Sequence, residues 1–338
     1  MSPFPSFRRM LGATSLFVAA SLPLPASAYS NWVLFGDSLS DTGNNALALG
    51  TDPGQVITGN TYIPTYPYAS GRYSNGEVWT ASFAASLGLG ATASLAGGNV
   101  YAYGGARTRV VSPDGAPPLR DQLTQYLGGH GGAADPDALF VVAGGGNNAR
   151  DTLDAIGAGA PILSSMLLES RRYAVDVGRM VDQLQAAGAE HIVVWNTPDI
   201  SKAPAVIAEG SLAVTLAGKV VGSMNNALAK RLAGEEGVIV FDAFTLFGDF
   251  VDNGADYGLV NTGDACGAIV GCDPSTYLFW DGIHPTSAGH ALLAGAMTDL
   301  LEPTAVPTPS VPVPEPATWW MLGAGLALLM GLSRRSRV

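Results

Sequence analysis

The sequence predicts an α/β protein, a three-layer α/β/α sandwich around a mostly parallel five-stranded sheet. Three observations carry this. Apolar runs of four to six residues recur, each ending in turn formers. Segments with apolar residues spaced near 3.6 lie between them. The alternation runs unbroken through residues 29–302, so one domain is expected there.

The first strand is Asn31 to Phe35, closed by Gly36, and a helix is expected from Glu77 to Leu87. Asn99 to Tyr103 is the second strand, followed by Gly104 and Gly105 and a helix from Leu119 to Leu127. Ala138 to Ala143 is the third, followed by three glycines and a long helix from about Ser164 to Ala187. His191 to Trp195 leads through Asn196-Thr197-Pro198 to a helix from about Ser211 to Leu232. Gly237 to Phe241 ends at Asp242, and Ser287 to Leu301 is the last helix. Such continuous apolar runs suit strands covered on both faces, as in parallel sheets. The segment from Gly50 to Arg72, rich in Tyr, Pro, Thr and Gly, is expected as a surface loop over the site.

Composition narrows the function. Of 338 residues, 47% are hydrophobic and 13% charged, which excludes a disordered polyelectrolyte. A net charge of −11 with three lysines argues against a nucleic-acid groove. Two cysteines cannot build a disulfide scaffold or a four-Cys zinc site.

The two ends read as addresses. Residues 1–28 carry Arg8 and Arg9, an apolar run from Leu11 to Leu22 and the small-x-small site Ala26-Ser27-Ala28, the order of a secretory signal. The mature chain is expected to begin at Tyr29. Residues 303–316 hold six prolines and should form an extended linker. Residues 317–338 give an apolar stretch from Ala317 to Leu332 and then Arg334, Arg335 and Arg337. The stretch is short for a stable span, so transient membrane insertion with the arginines on the cytoplasmic side is expected. Without both ends, 12 cations face 27 acids, a net −15.

Ligands of open parallel sheets bind beyond the carboxyl ends of the strands. The polar residues there are Gly36 to Asn44, Gly104 to Thr108, Gly144 to Asn148 and Trp280 to Pro285. Cys266 and Cys272, six apart in an exported chain, are expected to form a disulfide that steadies the segment before His284. No cofactor or metal is expected. Gly144–Gly146 lacks the dinucleotide glycine spacing and a P-loop lysine. A calcium loop starting at Asp249 would place Val251 and Val260 where carboxylates are required.

Phe35-Gly-Asp-Ser-Leu-Ser-Asp-Thr-Gly-Asn44 resembles block I of the GDSL, or SGNH, hydrolases, and Gly105, Asn147 and Asp281-x-x-His284 resemble their later blocks in order. Gly71 to Gly76 and Tyr277 to Pro285 are similar to the lecithinase, phospholipase or haemolysin-like subgroup. The resemblance implies a flavodoxin-like sheet and a serine ester hydrolase. Block III departs from the family's Gly-x-Asn-Asp, since Asn148 stands in place of the aspartate. The end of the chain, with Pro314-Glu315-Pro316, an apolar helix and arginines, resembles a PEP-CTERM sorting signal. That implies an exosortase-type processing partner and the surface or extracellular matrix of a Gram-negative bacterium; a plain membrane anchor is the alternative.

The expected chemistry follows. Ser38 is a weak nucleophile until a base takes its proton, His284 is that base, and Asp281 holds the imidazole tautomer. The Ser38 N–H, the Gly105 N–H and the Asn147 side-chain amide would receive the oxyanion. Taken singly, each has a plainer use: Ser38 as a helix N-cap, Gly104–Gly105 as a tight turn, Asn147 as a loop amide, His284 as a surface residue. Asp37 and Asp41 should orient the turn, and His130, His191 and His290 should be structural. Tyr62, Tyr66, Tyr68, Tyr73 and Trp79 could wall an acyl or sugar site or simply pack. The substrate would be a lipid, a short-chain ester or an acetylated glycan. Acyl transfer on the same site and a non-catalytic matrix-binding module are the alternatives.

Overall fold

The computed structural model describes residues 29–68 and 70–301. The expected signal segment, the proline linker and the sorting helix lie outside them. Four strands form one parallel sheet in the order β1 (Trp32–Gly36), β2 (Leu139–Ala143), β3 (His191–Trp195) and β4 (Val238–Phe241). The helices are α1 (Asn44–Leu49), α2 (Trp79–Ser86), α3 (Leu119–Gly129), α4 (Gly146–Gly157), α5 (Ile162–Ala187), α6 (Pro204–Ala208), α7 (Ser211–Leu232), α8 (Ala243–Asp252) and α9 (Ser287–Leu301). A short parallel pair, β5 (Asn261–Ala265) with β6 (Tyr277–Phe279), lies apart from the main sheet.

The second expected strand, Asn99–Tyr103, is not a regular strand, yet it completes the sheet as a fifth member beside β1. Leu34 N–H donates to the Asn99 carbonyl, while Tyr101 N–H and Tyr103 N–H donate to the Leu34 and Gly36 carbonyls. Its outer edge is taken differently: the Asn44 side-chain amide donates to the Val100 and Ala102 carbonyls, both at 2.9 Å. Backbone pairing on that edge is confined to Val100, which bonds Thr92 and Ser94, so the segment stays irregular. By chain position the sheet order is then 2-1-3-4-5, the flavodoxin-like order, with its switch point between β1 and β2. β4 is the open edge, and its Ile239 and Val240 are exposed, so burial on both faces holds only for the inner strands.

Alternate residues of each strand feed two cores. Val33, Phe35, Phe140, Val142, Ile192 and Val194 pack against α3, α5 and α7. Trp32, Leu34, Leu139, Val141, Val193 and Trp195 pack against α2, α8 and α9. Two-residue alternation thus builds the three layers. α1, α4, α6 and α8 were not expected from apolar spacing; of these, α4 matters most because it opens directly after the glycines that follow β2.

Cys266 and Cys272 are joined in a disulfide between β5 and β6, with a Cα–Cα distance of 5.6 Å. A ring this short restricts the unfolded chain by about 2 kcal/mol. Beside it, Gly267 N–H donates to the Trp280 carbonyl, and Trp280 N–H donates to the His284 carbonyl at 2.8 Å. The bridge therefore braces the turn that carries His284.

Candidate active site

The turn after β1 is tight because a Cβ at Gly36 would stand 2.8 Å from the Ala143 carbonyl oxygen. Asp37 closes it: its carbonyl accepts from Ser40 N–H at 3.0 Å and its carboxylate from Leu39 N–H at 3.2 Å. Ser38 rides on this turn and caps no helix, since α1 begins only after Gly43. Its Oγ lies 2.8 Å from His284 Nε2.

The second turn is built around Asp281. Asp281 Oδ1 accepts from the N–H of Ile283 at 2.7 Å and of His284 at 2.6 Å. Oδ2 is 2.6 Å from His284 Nδ1 and accepts from Tyr68 O–H at 2.5 Å. Burial alone would raise this carboxyl, but the His284 charge and these donors outweigh it and hold it below the usual carboxylate range. An acceptor-only carboxylate facing Nδ1 assigns the proton to Nδ1, leaving Nε2 to accept from Ser38 O–H. Asp281 and His284 are almost fully buried, so this chain of bonds is shielded from water.

Asp41 ties the first turn to the glycines after the second edge segment. It accepts from the N–H groups of Gly43, Asn44 and Asn45, and from Gly104 N–H at 2.9 Å. Burial pushes its carboxyl up to about 6, against the pull of those four donors. Gly104 has no room for a side chain, because its Cβ would stand 2.1 Å from the Tyr73 ring. Gly105 follows with φ 79°. Among the described residues, neither the Ser38 N–H nor the Gly105 N–H donates to a protein acceptor.

Asn147 stands in the first turn of α4, where Nδ2 donates to the Ala106 carbonyl at 3.0 Å. One proton of that amide remains for another acceptor. Asn148, the departure from the family pattern, holds the same loop. Its Oδ1 accepts from Thr108 N–H at 3.1 Å, as a carboxylate could, while Nδ2 donates to Thr108 Oγ1 and, at 2.8 Å, to Glu169.

The aromatic residues divide. Tyr62 and Tyr73 flank the His284 ring, at centroid distances of 5.6 and 5.2 Å, and Tyr68 holds Asp281. Tyr66 is exposed. Trp79 walls no site: it is fully buried between Trp32, Phe83 and Trp195, with Nε1–H donating to Ser40 Oγ. The sequence offered Tyr68 as a wall of the site or a packing residue; its bond to a residue 213 positions away leaves no local signature. The remaining histidines lie elsewhere: His130 stacks on Tyr126, His191 opens β3, and His290 is buried in α9. Asp249 lies in α8 and bonds Tyr257 and Asn253.

A pocket of about 790 Å³, mouth included, runs from Ser38, Asn147 and His284 beneath the strand ends. Leu39, Trp195, Ile200, Val206, Phe247 and Phe279 make its wall apolar. Asp37 lies at its edge, its carboxyl pushed up to about 6 by burial.

The chain is similar to known esterases, lipases and an acyltransferase. Esterase EstA of Pseudomonas aeruginosa is 29% identical over 338 aligned residues, 88% of this chain and 50% of the esterase. The phosphatidylcholine-sterol acyltransferase of Aeromonas hydrophila is 27% identical over 267, covering 76% and 70%. A GDSL esterase/lipase of Arabidopsis thaliana is 26% identical over 320, covering 78% and 85%. The chain spans about half the length of the Pseudomonas relatives it matches. Residues 312–337 match the PEP-CTERM protein-sorting motif, which marks the chain for export to the envelope or surface of a Gram-negative bacterium. Among the described residues, no helix is long and apolar enough to cross a membrane. With residues 33–297 matching the family model, the chain belongs to the GDSL-like lipase/acylhydrolase family.

Proposed function

We propose that the chain is an exported carboxylic ester hydrolase that works through an acyl-enzyme on Ser38. The single observation that carries this is the unbroken chain of bonds from Ser38 Oγ through His284 to Asp281. Ser38 Oγ attacks the ester carbonyl carbon as His284 Nε2 takes its proton. Asp281 stabilises the imidazolium without accepting the proton. The Ser38 and Gly105 N–H groups and the free Asn147 amide proton receive the negative oxygen. Collapse breaks the bond to the alcohol, which leaves with the proton from Nε2. Water, activated by the same nitrogen, then releases the acid and restores Ser38. The apolar pocket takes the acyl chain and excludes water around it.

Residues 1–28 are read as a removable secretory signal and residues 29–302 as the hydrolase domain. The tail after the proline linker is read as the substrate of an exosortase-type enzyme that leaves the domain at the cell surface or in its matrix.

Purified protein assayed on p-nitrophenyl acetate, butyrate and octanoate tests the reading. Steady release of nitrophenol is expected, with the product partitioning to a new ester if an added alcohol competes with water. Folded protein that turns over none of the three would overturn it in favour of a binding module.

A further inference from the structure

Arg150 stands where two cavities meet. With Val206 and Ile283 it lines both the apolar pocket at Ser38 and an open groove running past Thr61 and Leu153 to Leu212. Its guanidinium carbon lies 3.6 Å from the centroid of the Tyr62 ring, and one of its nitrogens is 3.5 Å from Asn147 Oδ1. Among the described residues no carboxylate forms an ion pair with it. Nearby Arg107 and Arg109 are paired, with Asp151 and Asp176. Asp154, one turn further along α4, lines the groove but is not in ion-pair contact with Arg150. A guanidinium without a carboxylate partner is thus held over an aromatic face, three residues beyond Asn147, in a chain of net charge −11.

Resting on the hydrolase reading above, we propose that Arg150 and the groove form a subsite for an anionic group on the alcohol half of the ester. With the acyl chain in the apolar pocket and the carbonyl at Ser38, the alcohol half points toward the mouth that Arg150 borders. A guanidinium over a ring face still has N–H donors beyond the one directed at Asn147 Oδ1, and its edge matches a carboxylate or a phosphodiester in two parallel bonds. The rest of the acidic surface repels such a group, so this cation sets where it can enter.

The test uses matched esters. 2-Nitrophenyl octanoate and 4-nitro-3-octanoyloxybenzoate share the acyl chain and ortho-nitrophenol leaving group and differ by one carboxylate. 1-Monooctanoylglycerol and octanoyl lysophosphatidylglycerol form the phosphodiester pair. The readout is the ratio of kcat/KM, anionic over neutral, which does not depend on the fraction of folded enzyme. Arg150→Gln should lower the ratio about ten- to hundredfold in at least one pair, mainly through KM, since a charge-assisted bond is removed. Arg150→Lys should keep part of the preference. The pair that responds identifies the anion. Ratios unchanged within twofold in both pairs, with neutral turnover still measurable, would overturn the subsite while leaving the hydrolase standing. Wild-type protein that hydrolyses none of the four would overturn both.

Discussion

Replacing Tyr68 with phenylalanine should move the acid limb of the rate–pH profile upward. Tyr68 O–H donates to Asp281 Oδ2, the same oxygen that faces His284 Nδ1. It therefore draws off part of the negative charge that would otherwise stabilise the imidazolium. Without it, Asp281 keeps three donors, from Ile283 N–H, His284 N–H and His284 Nδ1. The phenylalanine ring still packs on Tyr73 and Trp280, at centroid distances of 6.4 and 6.3 Å. A hydrogen bond to a charged acceptor contributes about 1.5–3 kcal/mol net. If roughly a third of that distinguishes imidazolium from imidazole, the difference is about 0.5–1 kcal/mol, or roughly half a pH unit. The charged and titratable groups around the imidazole otherwise stay in place: Asp281, Asp37, Tyr62, Tyr73 and His290, with Arg150 behind Tyr62. The assay is kcat/KM on a short p-nitrophenyl ester from pH 5 to 9, in wild type, Tyr68→Phe, Asp281→Asn and the double variant. The limb should shift in Tyr68→Phe and show no further shift when Asp281 is already Asn. A uniform loss of rate with an unmoved limb, or a shift to lower pH, would refute the reasoning.

Two further outcomes concern stability. His290 is buried with neither ring nitrogen bonded among the described residues, and burial pushes it down to about 3. Its neutral form suits the fold, so its contribution is complete above the unfolded value near 6.5 and is lost as pH falls toward 3. By pH 5 that loss is about 2 kcal/mol, and urea unfolding of wild type against His290→Leu should show the difference; parallel pH dependences would contradict it. Asn148→Asp restores the family's usual residue but sets a second carboxylate against Glu169 and removes a donor to Thr108. It should destabilise by about 1–3 kcal/mol, with partial recovery in Asn148→Asp/Glu169→Gln; a variant as stable as wild type would show that Glu169 is not the compensating partner.

What the sequence made legible follows from the range of the forces involved. β1, β2 and β3 were visible because burial on both faces leaves no polar position in the run, the exposed His191 at the start of β3 apart. Helices α5, α7 and α9 were visible because a long apolar stripe repeats. α4 was not, because its sequence Gly146-Asn-Asn-Ala-Arg-Asp-Thr gives only Ala149 to the core before Leu153 and Ile156. The segment Asn99–Tyr103 was read as a strand because of its apolar run, and no pattern announced that the Asn44 amide would occupy its outer edge. At the site, the turn residues Ser38, Asp281 and His284 carried a local motif. Tyr68 and Arg150 did not, since each acts through a partner that only the folded chain brings close. Trp79 lies in the helix expected from Glu77 to Leu87, beyond the loop whose tyrosines it was grouped with, and that helix turns it into the core.

The most direct measurement of the central claim is covalent trapping. Diethyl p-nitrophenyl phosphate should add one diethylphosphoryl group to the protein, mapped by peptide mass to Ser38, with loss of esterase activity in step. The adduct should be absent in Ser38→Ala and form at least about 100-fold more slowly in His284→Ala. Labelling at another residue, or undiminished ester turnover in Ser38→Ala, would contradict the account.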